Sequence, residues 1–174
     1  MSPKELKDQK LTDIFKALMG LLKDQSFEEI SITELAKRAG VSRAYYYKNF
    51  VTLEDIVSQY EMLRIISYLR QLPDGSRLTL QTLMTHYFQL VLDDQRDQLI
   101  LISAGKEQVL IKTFHTVLVY LLKNKLIPLT DRTTDSYWGD YFSGAVINLS
   151  ISWLKQGAVE PPEYMGKKVE TFAN

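Results

Sequence analysis

The 174-residue chain contains no cysteine, so it holds no disulfide and no thiolate nucleophile or ligand, a usage that suits a reducing compartment. It has two histidines, His86 and His115, too far apart in sequence for a metal pair and without a carboxylate motif beside them. Neither sign of charge prevails, with 21 basic and 21 acidic residues, which argues against wholesale attachment to a polyanion. Long apolar runs are also missing. The longest, Val117 to Leu122, ends at Lys123, far short of the roughly 20 residues a membrane span needs. Met1 to Lys10 alternates charges and lacks the apolar stretch of a secretion signal, so the expectation is a soluble, cytoplasmic protein with no membrane association. No phosphate loop, nucleophile elbow or His-Glu zinc motif occurs. The sequence therefore supports no catalysis, and neither a cofactor nor a metal is expected.

What is present is helical periodicity almost everywhere. Leu11, Ile14, Phe15, Leu18 and Leu22 follow the spacing of one helix face, predicting a helix from about residue 4 to 24. Ile32, Leu35, Ala36 and Ala39 repeat the pattern in a shorter unit opened by Ser31 and Glu34, a capping-box pair. Gly40 stops that helix and Ser42 caps another, a helix-turn-helix. Thr52, with Glu54 and Asp55 behind it, starts a helix expected to reach about Leu72, before a turn at Pro73, Asp74 and Gly75. Later stripes are Leu80, Leu83, Met84, Tyr87, Phe88 and Val91, then Leu110, Phe114, Val117, Leu118 and Leu121. Trp138, Tyr141, Phe142, Ala145, Val146, Leu149 and Trp153 form a third stripe. A shorter helix is expected from Arg96 to Ala104, Pro128 separates the second stripe from the third, and Pro161–Pro162 opens a terminal helix. The expected fold is all-α: an N-terminal three-helix domain with the helix-turn-helix, residues 1–51, then a larger helical bundle that dimerises and binds an effector, residues 52–174.

The segment Ser31 to Phe50 carries the functional signal. Between Leu35 and Phe50 lie Lys37, Arg38, Arg43 and Lys48 and no acidic side chain, a local basic patch on a neutral protein. For Lys37 and Arg38 a solvated helix face is the preferred reading over DNA contact. At 100° per residue, Tyr46 and Phe50 should pack back on Ile32, Leu35 and Ala39, while Ala44, Tyr45 and Lys48 point outward and Arg43 and Tyr47 reach out from the margin. Three consecutive tyrosines cannot all face one core. Arg43 can bond a guanine edge or clamp a phosphate, and both readings stay open. Ala44 lets the helix sit deep in a groove, Tyr45 offers a ring and hydroxyl, and Tyr47, Lys48 and the free amides at Ser42 suit phosphate oxygens.

Through Phe27, Ile30, Ser31, Ile32, Leu35, Ala36, Ala39, Gly40, Val41, Ser42, Tyr47, Phe50, Glu54 and Ile56 the chain resembles the tetracycline-repressor (TetR) family over about Lys10 to Val57. Beyond it the likeness is loose: a helical domain of the right size with a late Tyr-Phe-x-Gly helix. The resemblance implies a homodimer, an operator near the regulated gene, and often a small effector in the larger domain. By position it implies DNA contacts at Ser42, Arg43, Tyr45, Tyr47 and Lys48. Tyr45 is larger than the usual residue there, and Leu53 stands where a lysine is common.

Candidate effector-pocket residues are Tyr60, Tyr68, Met84, Tyr87, Phe88, Phe114, Trp138, Tyr141 and Phe142, although ordinary core packing is the commoner fate of each. Gly139, Ser143, Gly144 and Ala145 make a small-residue face for dimerisation or internal packing, and helices near 107–125 and 134–156 are candidates for a four-helix interface. The leading reading is a dimeric repressor of a palindromic double-stranded operator, released by a small effector. The alternatives are a regulator or coactivator triggered by a protein partner, and a helical carrier of apolar ligands that never touches DNA.

Overall fold

The computed structural model describes residues 2–71, 79–127 and 132–173. Among them are nine α-helices and no strand. α1 (Pro3–Leu21), α2 (Ile32–Ala39) and α3 (Arg43–Asn49) form the N-terminal part, with a 3-10 turn at Phe27–Glu29. They are followed by α4 (Leu53–Leu69), α5 (Leu80–Asp93), α6 (Gln95–Ser103), α7 (Glu107–Lys123), α8 (Trp138–Lys155) and α9 (Pro162–Ala173). The turn expected at Pro73, Asp74 and Gly75 and the break at Pro128 lie outside the described residues, whereas α4 ends at Leu69 with Arg70 as its C-cap, short of the Leu72 expected.

Helix starts follow local chemistry. Ser2 with Glu5, Ser26 with Glu29 and Thr52 with Asp55 make reciprocal capping boxes. Ser31 supplies only half of the expected one. Its hydroxyl accepts from the Glu34 amide, while the Glu34 carboxylate takes a bond from Gln25 instead. Gly40 ends α2 with φ +67°, a left-handed conformation that costs glycine little.

One continuous core runs through the described residues. α1 packs on α2 and α4, and the Phe15 and Tyr60 rings stack 3.7 Å apart where α1 meets α4. α7 lies between α4 and α8, and α9 runs along α5. That last approach is close because Gly166 has no side chain: a Cβ there would meet the Thr85 amide nitrogen at 2.6 Å and the Gln81 carbonyl at 2.8 Å.

α8 corrects the sequence reading. Its buried face is Phe142, Ser143, Val146, Ile147, Ser150, Trp153 and Leu154. Tyr141, at 68% exposure, and Ala145 lie on the open side. The predicted stripe was too broad: its aromatic and aliphatic members span two faces, and burial follows the neighbour available rather than hydrophobicity alone.

Candidate nucleic-acid interface and interior site

α3 is held from behind. Tyr46 and Phe50 are buried, their rings 5.7 Å apart, and Phe50 closes the helix as its C-cap. Burial raises the Tyr46 phenol above its ordinary range, and the nearby Asp55 charge adds to the shift. At the other end the Ser42 hydroxyl accepts the Tyr45 amide at 3.0 Å. Gln59 of α4 donates to the Asn49 carbonyl at 3.0 Å, tying the end of α3 to the following helix.

Ser42, Arg43, Ala44, Tyr47 and Lys48 are all exposed, with no part of the described chain covering them. Tyr47 is 61% exposed, and the Arg43 guanidinium lies 6.0 Å from the centre of its ring. Tyr45 is different. It is half-buried, packs edge-on to Phe50, carries the Lys10 ammonium 5.4 Å from its ring centre, and has a phenol pushed up by burial. The outward orientation expected for it is therefore corrected. A ring of this size one helical turn from Asn49 finds apolar surface beside α1 and takes it. Lys10 joins the basic surface although nothing in the α2–α3 segment pointed to it. Lys37 and Arg38 are exposed, and the Arg38 guanidinium lies against Gly20 of α1.

The aromatic residues singled out for an effector pocket do not form one pocket. Tyr60 belongs to the α1–α4 joint, Phe88 is fully buried edge-on to Trp153, and Trp138 stacks on Phe142 at 4.7 Å. Tyr141 and Phe142 instead line a groove of about 300 Å³ between α8 and α9, with Ala145, Leu149 and Phe172. Only Met84, Tyr87, Phe114 and Tyr68 surround interior space, because sequence periodicity identifies inward faces but not where packing leaves gaps.

That space consists of two voids of about 30 Å³ each, which share Ile65, Tyr87, Leu90 and Phe114. One is apolar and bordered by Tyr68, whose buried hydroxyl has no hydrogen-bond partner among the described residues. Glu61 and Gln98 border the other. Gln98 donates to the Glu61 carboxylate at 2.8 Å, and the Tyr87 and Ser150 hydroxyls are 3.1 Å apart. Burial, and then the negative charge of Asp94, raise the Glu61 carboxyl to about 7. Part of the residue's surface is accessible, but its carboxyl is enclosed by protein on the side of the void, and enclosure governs its protonation. The sequence does contain a signal for Glu61: it interrupts the face Val57, Ile65, Tyr68 with a charge at helical spacing.

A larger cleft of about 510 Å³ opens between α1, α4 and α7, with Lys4, Lys7, Arg70 and Lys112 around an apolar floor. The four small residues of α8 separate into two pairs. Gly139 meets His115 of α7 and Ser143 is fully buried, so this pair serves internal packing, whereas Gly144 has open space before it and Ala145 is exposed. A four-residue dimerisation face is thus corrected, since consecutive helical residues 100° apart cannot share one contact. On α7, Val109, Leu110, Phe114, Val117, Leu118 and Leu121 are buried in the core, which leaves the opposite face, with Tyr120, open. Among the described residues no three His, Cys, Asp or Glu side chains could hold a metal ion, and no helix is long and apolar enough to cross a membrane.

Residues 79–174 match a TetR C-terminal family model described as transcriptional regulator C-terminal region. No curated protein matches the chain significantly in sequence. Among solved structures, Lin0861 from Listeria innocua superposes with a TM-score of 0.77 at 16% identity, over 99% of this chain and 93% of that one. The dihydroxyacetone kinase operon activator DhaS superposes at 0.58, with 14% identity over 94% and 93%. AlkX, a TetR family repressor from Dietzia sp. implicated in n-alkane biodegradation, superposes at 0.52, with 16% identity over 99% and 94%. At these identities the neighbours speak for the fold alone, and the family match covers more than half of the chain. The chain belongs to the TetR family of transcriptional regulators, whose members bind DNA and dimerise.

Proposed function

We propose that residues 1–51 form the operator-reading unit, with α3 in the major groove, and that residues 52–174 dimerise and sense. The observation that carries this reading is the uncovered start of α3: Ser42, Arg43, Ala44, Tyr47 and Lys48 are exposed while Tyr46 and Phe50 anchor its back. Arg43 and Ala44 face base edges, Tyr47 and Lys48 take phosphates, and Tyr45 braces the helix against α1 and Lys10.

One such helix reads a short half-site, and a two-fold partner supplies the second, so the operator is palindromic. The face offered for that partner is the open side of α8 with α9, where Tyr141, Ala145, Leu149 and Phe172 line the groove. A small effector entering the helical bundle shifts the spacing of the two α3 helices and releases the operator, which makes the protein a repressor. Polar groups inside the bundle, the Glu61 carboxyl and the Tyr68 hydroxyl, favour a small molecule over a protein as the trigger. The chain acts in the cytoplasm and performs no catalysis.

Selection of bound sequences from random DNA with the purified protein tests this directly. A two-fold symmetric consensus is expected. Arg43→Ala should weaken binding by about 1–3 kcal/mol, with a loss that varies with the half-site base if Arg43 reads bases and is uniform if it holds phosphate. Tyr47→Phe should weaken it while leaving the circular dichroism spectrum unchanged. Parental binding by both variants at moderate salt would remove α3 as the reading helix.

A further inference from the structure

We infer that the interior of the helical bundle is a site for a small organic cation with an apolar body, its charged end held by Glu61 and Gln98 and its body lying along Ile65, Tyr87 and Phe114. This rests on the effector reading above and names the chemistry of that effector.

Glu61, only partly accessible to solvent, projects from α4 and borders the void. Its hydrogen-bond partner is the neutral Gln98 amide, not a cation. The one nearby guanidinium, Arg64, is engaged by Asp94 at 3.0 Å. The charged groups around the carboxyl are Arg64 on the same helix, Asp94 beside it and Asp97 on α6, so acid outnumbers base; Tyr87 faces it from α5. A carboxylate placed in such surroundings is costly without a positive partner, and natural proteins keep such groups where a ligand or switch uses them. The second void continues from the first past Tyr87 and Phe114 and is lined almost wholly by carbon. At its border the Tyr68 hydroxyl is buried and, among the described residues, unpartnered, an available group for an oxygen or nitrogen at the ligand's far end.

As it stands each void has room for no more than a water or two. A larger occupant therefore separates α4 from α5 and α7. Because α4 carries Gln59, bonded to the last turn of α3, that displacement reaches the reading helix. The ligand's charge provides the affinity and its bulk provides the movement.

The test uses the full chain and the straight-chain alkylammonium ions from methyl- to hexylammonium, with the matching alcohols as neutral controls. Calorimetry should show the ammonium ions binding at least tenfold more tightly than the alcohols. It should also show proton release near pH 7, read as a heat that changes with the buffer's ionisation enthalpy. Glu61→Gln should lose at least tenfold in ammonium affinity and all of the proton release. Tyr68→Phe, which leaves the charge site intact, should retain the proton release, and an unchanged circular dichroism spectrum of Glu61→Gln excludes a folding defect in that variant. Equal ammonium affinity in the parent and Glu61→Gln overturns the assignment, as does the absence of binding by every ammonium ion. Release of the selected operator duplex is measured separately, so a protein that binds ammonium ions but no DNA would sink the regulatory reading and leave this site standing.

Discussion

Gly166 shows how one residue decides a helix contact. The backbone of α5 lies where its side chain would be, so the obstacle in Gly166→Ala is the Thr85 nitrogen and Gln81 carbonyl, which cannot swing aside. Overpacking of this kind costs about 1–3 kcal/mol, partly offset by alanine's better helix propensity. A urea denaturation midpoint lowered accordingly is expected, with the slope unchanged. A midpoint equal to the parent's would mean that α9 does not hold this register against α5. Gly139 is a milder case, since its obstacle is the His115 ring of α7. At this scale α3 was largely legible: Ser42 as cap, Tyr46 and Phe50 as anchors, and Tyr47 as the exposed ring all follow from a 100° period. Tyr45 was not, because its half-buried place depends on α1, which is remote in sequence.

Among elements, Lys106, just before α7, ties that helix to the start of α4 and to the 3-10 turn. Its ammonium is 2.7 Å from the Glu54 carboxylate at the start of α4, 4.0 Å from Glu28, and 4.3 Å from the centre of the Phe27 ring. Burial pushes the Glu54 carboxyl up, but the Lys106 hydrogen bond and charge outweigh it and hold the carboxyl below its ordinary value. The link thus contributes above the unfolded carboxylate's range and is lost as acid protonates Glu54. Its strength is limited by solvent, at about 1 kcal/mol for a partly exposed pair. A double-mutant cycle of Lys106→Met with Glu54→Gln should return a coupling energy of that size. It should also show weaker communication between ammonium binding and operator release. A zero coupling energy would leave the connection between residues 1–51 and the later helices to α4 alone.

For the whole molecule, Glu61 predicts an uncommon pH profile. Its folded carboxyl sits at about 7, above the unfolded value of 4.5, so the folded state binds the proton more tightly. Stability from this group is complete below the unfolded value, falls as pH rises between the two, and is flat above the folded value. At 1.36 kcal/mol per unit the loss is on the order of 3 kcal/mol, and Glu61→Gln should abolish it. Thermal melts of parent and variant from pH 4.5 to 8 measure the difference. Parallel curves would show that the carboxyl is hydrated in the folded protein.

The sequence by itself determined the helical class, the helix-turn-helix and the family likeness over Lys10 to Val57, because caps, glycine stops and apolar period are local properties written within a few residues. It marked the inward faces of α5 and α7 for the same reason. Only the tertiary structure decided which aromatic residues border space and which fill it, which side of α8 stays open, and that Glu61 meets Gln98 from 37 residues away. Those outcomes depend on how several helices pack at once, and a gap between them belongs to no single stretch of chain.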